Sequence, residues 1–271
     1  MCAATAVHAP SDLDGWDGTD PWIDRLPPGI RPERTVVVHV TGYYEPELRG
    51  ARRRSDAYPV PIHAVPPGGI TASRAAIEDG DLLAGRELLW LRDPVDRFVL
   101  QVQGSGRIAL EDGSDLRVGY AGRNGHPYVS LGRLLIEAGH LDADTITARA
   151  VAGWLRAQPD GGRATMRRNP SYVMFRLLDT DPALGPIGTA GVPLTSLRSI
   201  AIDPAHVPLG SLVWLSIDGP DPIRRICVAQ DTGSAITGPG RIDLFCGTGD
   251  AAGDRAGRLN ARGRMTILAR P

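Results

Sequence analysis

Apolar, β-branched residues dominate Thr35-Val36-Val37-Val38-His39-Val40, a run that reads as a strand. Similar strand-like runs fall at 87–91 (ELLWL), 98–104 (FVLQVQG), 115–121 (DLRVGYA) and 172–178 (YVMFRLL), separated by turn residues. Only the middle of the chain reads as helical. Ser130 can cap LGRLLIEA, which Gly139 ends, and Asp142 or Asp144 can cap a segment through Ile146, Ala150 and Trp154 that stops before Pro159. From about residue 185 the pattern returns to short strands at 197–202, 211–217, 224–230, 241–245 and 264–269, without helical periodicity. Residues 1–34, rich in Asp and Pro and lacking a sustained period, read as an extended arm. The chain is therefore expected to be mainly β.

Composition narrows the partners. With 271 residues and 42% hydrophobic content, the chain can bury one large or two modest cores. Lys and Arg total 30 against 31 Asp and Glu, which removes the electrostatic case for nucleic acid or an anionic membrane and suits a neutral polymer. Thirty-three Gly and 23 Pro fit frequent turns between strands. No stretch approaches the ~20 apolar residues of a membrane span. Met1-Cys2-Ala3-Ala4 places a cysteine where a processed lipoprotein carries its lipid, so outer-membrane anchorage through Cys2 is an expectation. Cys227 and Cys246 are too few and too far apart for a zinc knuckle and read as two buried thiols or one disulfide. The six histidines show no metal-ligand spacing, so neither metal nor cofactor is expected.

Two motif-like strings point elsewhere and fail. Gly104-Ser105-Gly106-Arg107-Ile108-Ala109 fits a dinucleotide fingerprint, but Glu111-Asp112-Gly113-Ser114 signals a hairpin where that fold needs a helix. Asp231-Thr232-Gly233-Ser234 matches the turn of an aspartic protease, which needs two such carboxylates, and this sequence has only one Asp-Thr-Gly.

Five separated blocks together resemble the membrane-bound lytic murein transglycosylase A (MltA) family with its C-terminal three-aspartate (3D) domain. They are Thr41-Gly42-Tyr43-Tyr44-Glu45-Pro46 with Tyr58-Pro59-Val60-Pro61; Gln103-Gly104-Ser105-Gly106; Gly119-Tyr120-Ala121-Gly122-Arg123-Asn124-Gly125-His126-Pro127-Tyr128; Asn169-Pro170-Ser171-Tyr172-Val173; and a C-terminal block. The last contains Ala201-Ile202-Asp203-Pro204, Gln230-Asp231-Thr232-Gly233, Gly238-Pro239 and Arg241-Ile242-Asp243-Leu244-Phe245. The resemblance implies a double-psi β-barrel built from residues 35–46 and 185–271, and a second β-barrel domain with short helices inserted at 47–184, forming the other wall of a glycan groove. It also implies a monomeric enzyme of the cell envelope and periplasm that cuts peptidoglycan strands and leaves 1,6-anhydro-N-acetylmuramic acid. A non-catalytic glycan-binding barrel is the alternative.

The residues support such chemistry on their own. A transglycosylase attacks the anomeric carbon with the sugar's own C6 hydroxyl, so one carboxyl can serve as acid and then as base without an activated water. Asp243 alternates with Ile242 and Leu244, which would fill the barrel and leave Asp243 facing the glycan. The resemblance also assigns catalysis to Asp243. Asp231, twelve residues upstream, would polarise it or orient substrate, unless it serves only as the Asx residue of the Thr232-Gly233 turn. Asp203 reads as the structural residue of an Asp-Pro turn. Sugars present apolar faces and hydroxyls, which makes Tyr43, Tyr44, Gln103, Ser105, Tyr120, Asn124 and His126 candidate contacts. The same motifs add Thr41, Gly42, Gly104, Gly106, Gly233 and Gly238.

Overall fold

The computed structural model describes residues 29–143, 145–181, 183–218 and 221–269. Most of the expected arm, Cys2 and Asp144 lie outside the described residues. Residues 29–43, 183–247 and 258–269 form one compact unit, and residues 44–181 with 248–257 form another.

The first unit is a closed six-stranded barrel. Its strands are β1 (Arg31–Glu45), β8 (Ser199–Ala201), β9 (Leu212–Ile217), β10 (Ile223–Asp231), β11 (Arg241–Thr248) and β12 (Asn260–Ala269), in the order β1-β11-β8-β10-β9-β12. Strand β1 starts earlier than Thr35, at Arg31, and absorbs Pro32 at a register irregularity. From Arg31 opposite Ala269 to Thr41 opposite Asn260, β1 pairs antiparallel with β12, so segments far apart in sequence meet in one seam. Alternation decides which side chains enter. Val38, Val40, Val213, Leu215, Ile242, Leu244, Met265 and Ile267 fill the interior, while Val37 and His39 face out. Strands β9 and β10 are buried on both faces, since Leu212, Trp214, Ile226 and Val228 make a second apolar cluster with Leu268. That double burial explains their nearly unbroken apolar runs.

The second unit holds β2 (Glu47–Ala51), β3 (Val60–His63), β4 (Glu87–Leu91), β5 (Ser105–Leu110), β6 (Asp115–Arg123) and β7 (Val173–Leu178). These strands hydrogen-bond as a six-stranded sheet in the order β3-β4-β2-β5-β6-β7, with β2 and β5 parallel. Its helices are α1 (Arg74–Asp79), α2 (Pro94–Gln103), α3 (Leu131–Glu137), α4 (Ala148–Arg156), α5 (Arg163–Met166) and α6 (Asp250–Arg258), the last running one residue into the other unit.

Three local expectations are corrected. Residues 98–104 form the C-terminal part of helix α2 and its cap, not a strand. Asp93 caps the N-terminus by accepting from Asp96 N–H, Pro94 takes the first turn, and Gly104 closes the helix in the left-handed region at φ 80°. The apolar run Phe98 to Leu100 and the alternation from Leu100 to Gln103 imitated a strand. Helix α4 is capped by Thr147 rather than Asp142. Helix α6 lies where no helical period was read, because its buried stripe consists only of Ala252 and Ala256.

Candidate functional site

Strand β8 brings the two aspartates into one neighbourhood. It runs between β10 and β11, and its Ala201 is the register partner of Asp231 on the parallel side and of Asp243 on the antiparallel side. A small side chain therefore separates two carboxyl-bearing positions. Ile242 and Leu244 are 1% and 0% exposed in the barrel core, and Asp243 between them takes the opposite face and keeps some exposure.

Asp243 Oδ1 accepts a hydrogen bond from Thr41 Oγ1 at 2.5 Å, and Thr41 Oγ1 accepts in turn from Arg241 Nη2 at 2.7 Å. A short chain, guanidinium to hydroxyl to carboxyl, thus ends on one oxygen. Burial raises the Asp243 carboxyl to about 6, with the charge of Asp231 adding to the rise, against the lowering effects of Thr41, Arg241 and His39. Desolvation outweighs these partners because the guanidinium reaches the carboxyl only through Thr41.

Asp231 is held differently. Its Oδ2 accepts from Tyr43 Oη at 2.8 Å, and its Oδ1 accepts from both the backbone N–H and the hydroxyl of Thr189 at 3.0 and 2.9 Å. The Thr189 and Thr232 hydroxyls are themselves 2.8 Å apart. The Tyr43 ring leans on Phe245 with centroids 5.4 Å apart, and burial together with Asp231 raises its phenol well above the ordinary tyrosine range. Asp203 accepts from the N–H groups of Ala205 and Gly238 at 3.0 and 2.7 Å, and these backbone donors hold its carboxyl below the ordinary value. That geometry is the structural turn expected of it.

The predicted residues divide between the units. Thr41, Gly42, Tyr43, Asp231, Gly233, Gly238 and Asp243 belong to the barrel, whereas Tyr44, Gln103, Gly104, Ser105, Gly106, Tyr120, Asn124 and His126 belong to the other unit. Within that second group Gln103 Oε1 accepts from Tyr44 N–H at 3.1 Å. Gly104 is the left-handed helix cap, and a Cβ on Gly106 would sit 2.4 Å from Leu100 Cδ1, so both glycines have packing reasons. Tyr120 is half exposed, and His126 Nε2 donates to the Thr71 carbonyl at 2.8 Å. Asn124 requires a correction: it is 2% exposed, its Nδ2 donates to Ala72 O and Pro170 O at 2.8 Å each, and its Oδ1 accepts from Tyr172 N–H. Both donors are spent on the backbone, so this side chain pins loops and offers a sugar no donor. Gly238 likewise has committed its N–H, to Asp203.

Of the two readings left open for Cys227 and Cys246, the structure has the pair of buried thiols. Both are buried and outside any disulfide, on strands separated by β8, which puts the backbones about two strand spacings, ~9.5 Å, apart. A disulfide needs Cα atoms within ~7 Å. Burial pushes the Cys227 thiol up to about 12.

Sequence reading missed Thr189 and the role of Arg241. The one signal for Thr189 is its glycine-bordered loop: a Cβ on Gly188 would meet Gln230 O at 2.6 Å, so the loop lies close against β10. Among the described residues no group of His, Cys, Asp or Glu is placed to hold a metal, and no helix is long and apolar enough to cross a membrane.

Comparison with known proteins places this arrangement among relatives. The MltA specific insert domain model matches residues 39–73 and 69–176, and the 3D domain model matches residues 198–269. Membrane-bound lytic murein transglycosylase A of Escherichia coli (strain K12) is 34% identical over 242 residues, 85% of this chain. The chain spans 65% of that relative's length. The crystal structure of E. coli MltA with bound chitohexaose superposes with a TM-score of 0.79 at 32% identity, covering 86% of this chain and 72% of that one. The lytic transglycosylase LtgG of Burkholderia pseudomallei is 43% identical, with a TM-score of 0.65 and coverage of 87% and 72%. Two matched domain models and these relatives establish that the chain belongs to the membrane-bound lytic murein transglycosylase A family.

Proposed function

We propose that this chain is a peptidoglycan lytic transglycosylase of the cell envelope that cleaves the β-1,4 bond between N-acetylmuramic acid and N-acetylglucosamine, with Asp243 as both acid and base. The observation that carries the reading is a carboxyl on a barrel strand, largely withdrawn from water, raised to about 6 and held by one hydroxyl. Near neutral pH a useful fraction is protonated, as a general acid requires. Protonated Asp243 donates to the glycosidic oxygen as the bond from the anomeric carbon to that oxygen breaks. The muramyl C6 hydroxyl oxygen then bonds to the anomeric carbon, and its proton returns to the Asp243 carboxylate. The 1,6-anhydro ring closes and the carboxyl is restored, so no water is consumed.

Asp231 supports this reading by what it does not offer. Tyr43 and Thr189 occupy its oxygens, which leaves it poorly placed to activate water as the second carboxylate of a hydrolase would. Its charge raises Asp243 instead. The glycan in the E. coli relative's crystal structure supports a polysaccharide substrate. Mass spectrometry of the fragments released from purified sacculi tests the reaction class. Fragments ending in 1,6-anhydro-N-acetylmuramic acid are expected, and reducing ends would make the protein a hydrolase.

A further inference from the structure

The outer face of the barrel next to Asp243 carries positive charge that the sugar chemistry above does not use. On β12, Arg262 and Arg264 are alternate residues, both exposed, whereas Met265 and Ile267 turn inward. The register sets Asn260 opposite Thr41, Arg262 opposite His39 and Arg264 opposite Val37. On the other side of β1, Arg241 lies two residues from Asp243 on β11, shares its face, and donates to Thr41. Three arginines thus run along one sheet face, beginning at the hydrogen-bond partner of Asp243.

Some arginines elsewhere on the surface are neutralised by a neighbouring carboxylate. Arg133 pairs with Glu137, Arg149 with Asp250 and Asp254, and Arg224 with Asp218. Among the described residues no carboxylate pairs with Arg262 or Arg264, and neither makes a side-chain hydrogen bond. His39 beside them donates from Nε2 to Asn260 Oδ1 at 2.6 Å. In a chain of net charge −1 this local excess is not a by-product of a basic composition. Alternate residues of one strand stand ~7 Å apart, so the two guanidinium groups repel each other until an anion joins them.

We propose that this strip binds the carboxylates of the peptide stem that a muramyl residue carries, seating the stem alongside β1 and β12 while the sugar reacts at Asp243. The inference rests on the lyase reading and extends it to the substrate's peptide. Length agrees with charge. The face from Thr41 to Val37 spans about 13 Å, the reach of an extended peptide of about four residues. A membrane surface fits less well, because the strip offers Val37 as its one strongly exposed apolar side chain, at 71%.

The test compares two substrates with three proteins: wild type, Arg262→Gln/Arg264→Gln, and Arg262→Lys/Arg264→Lys. The substrates are peptide-bearing glycan strands and the same strands stripped of peptide by an amidase. The glutamine pair should lose about fivefold in kcat/KM on peptide-bearing strands, mainly through KM, because exposed charge pairs contribute modestly. It should match wild type on stripped strands. The lysine pair should recover most of the loss, and added salt should shrink the wild-type preference. Equal behaviour of all three proteins on both substrates overturns the proposal, as does an equal loss on both. Cosedimentation of each protein with peptide-bearing and stripped sacculi gives a binding readout independent of turnover. If wild type cleaves neither substrate but still favours the peptide-bearing sacculus, and the glutamine pair does not, the lyase reading fails and the strip survives. Binding to vesicles containing anionic phospholipid that the glutamine pair abolishes, with no substrate preference, would assign the strip to a membrane and overturn the proposal.

Discussion

Glu78 in the inserted unit meets three guanidinium groups, those of Arg97 at 2.7 Å, Arg167 at 3.3 Å and Arg74 at 3.4 Å. Arg74, almost wholly buried, also donates to the carbonyls of Asn169 and Ser171 and packs between Phe98 and Tyr172, 4.9 and 5.4 Å from their centroids. Among the described residues no guanidinium pairs directly with Asp243 in the barrel, which accepts a 2.5 Å bond from Thr41. Both carboxyl groups are largely withdrawn from water, yet one is surrounded by compensating charge and the other is left short of it. A fully paired buried carboxylate fastens loops together; an under-paired one keeps its proton within reach of neutral pH. The contrast marks which charge serves the fold and which is available for chemistry.

The widest effect should come from removing the under-paired group. Asp243→Asn keeps the size of the side chain and its ability to accept from Thr41, but it cannot exchange a proton. Lysis of sacculi, followed by turbidity, should fall by about 10⁴-fold or more, because acid and base roles are lost together. Near-normal clearing would move the catalytic role away from Asp243. Glu78→Gln is the counterpart. It leaves three arginines without their shared anion and should cost about 3–5 kcal/mol in urea unfolding, while the pH profile of lysis by the remaining folded protein stays put.

Stability against pH should separate the two sites further. Asp243 titrates near 6 when folded and near 3.8 when unfolded. Between those values the folded state binds more protons, so this group's contribution to stability falls as pH rises through about 4 to 6 and then levels off. At pH 8 Asp243→Asn should be more stable than wild type by up to about 3 kcal/mol, and the advantage should vanish by pH 3.5. An unchanged difference across that range would contradict the raised carboxyl. The smallest effect belongs to Asp231→Asn, which should lower lysis by less than about 10²-fold and leave measurable activity. It also removes a negative charge that raises Asp243, so the alkaline limb of the pH-rate profile should move to lower pH.

Much of the barrel's half of this contrast could be read from the chain. The alternation of Ile242, Asp243 and Leu244 gave the facing of the aspartate before any pairing was known. Its bond to Thr41 could not be read in the same way, because it depends on β1 and β11 being neighbours, with contacting residues about 200 positions apart. Thr189 was hidden for a related reason: nothing local tells a loop threonine which strand it will rest on. In the inserted unit, Phe98 to Gln103 reads like a strand through its apolar run and the alternation after Leu100, yet its capping residues and packing against the sheet make it a helix, so tertiary context overruled the local period. Asn124 looked like a sugar ligand because a polar residue on a glycine-rich loop can equally be a solvent-facing hand or a buried pin. Only its partners distinguish the two.

The seam between β1 and β12 bears on how the protein is made. Thr35 and Thr266 share a hydroxyl contact across 231 residues, and β12 also pairs with β9, so the barrel closes only when this strand joins. Such long-range closure is slow compared with the forming of local helices and hairpins. On the ribosome, the segment carrying Asp243 emerges while its barrel still lacks a wall, and the residues that desolvate the carboxyl are not yet assembled. A chain cut short before β12 should hold every residue of the catalytic strand and remain inert. Closure by β12 thus ties the environment of Asp243 to completion of the barrel wall.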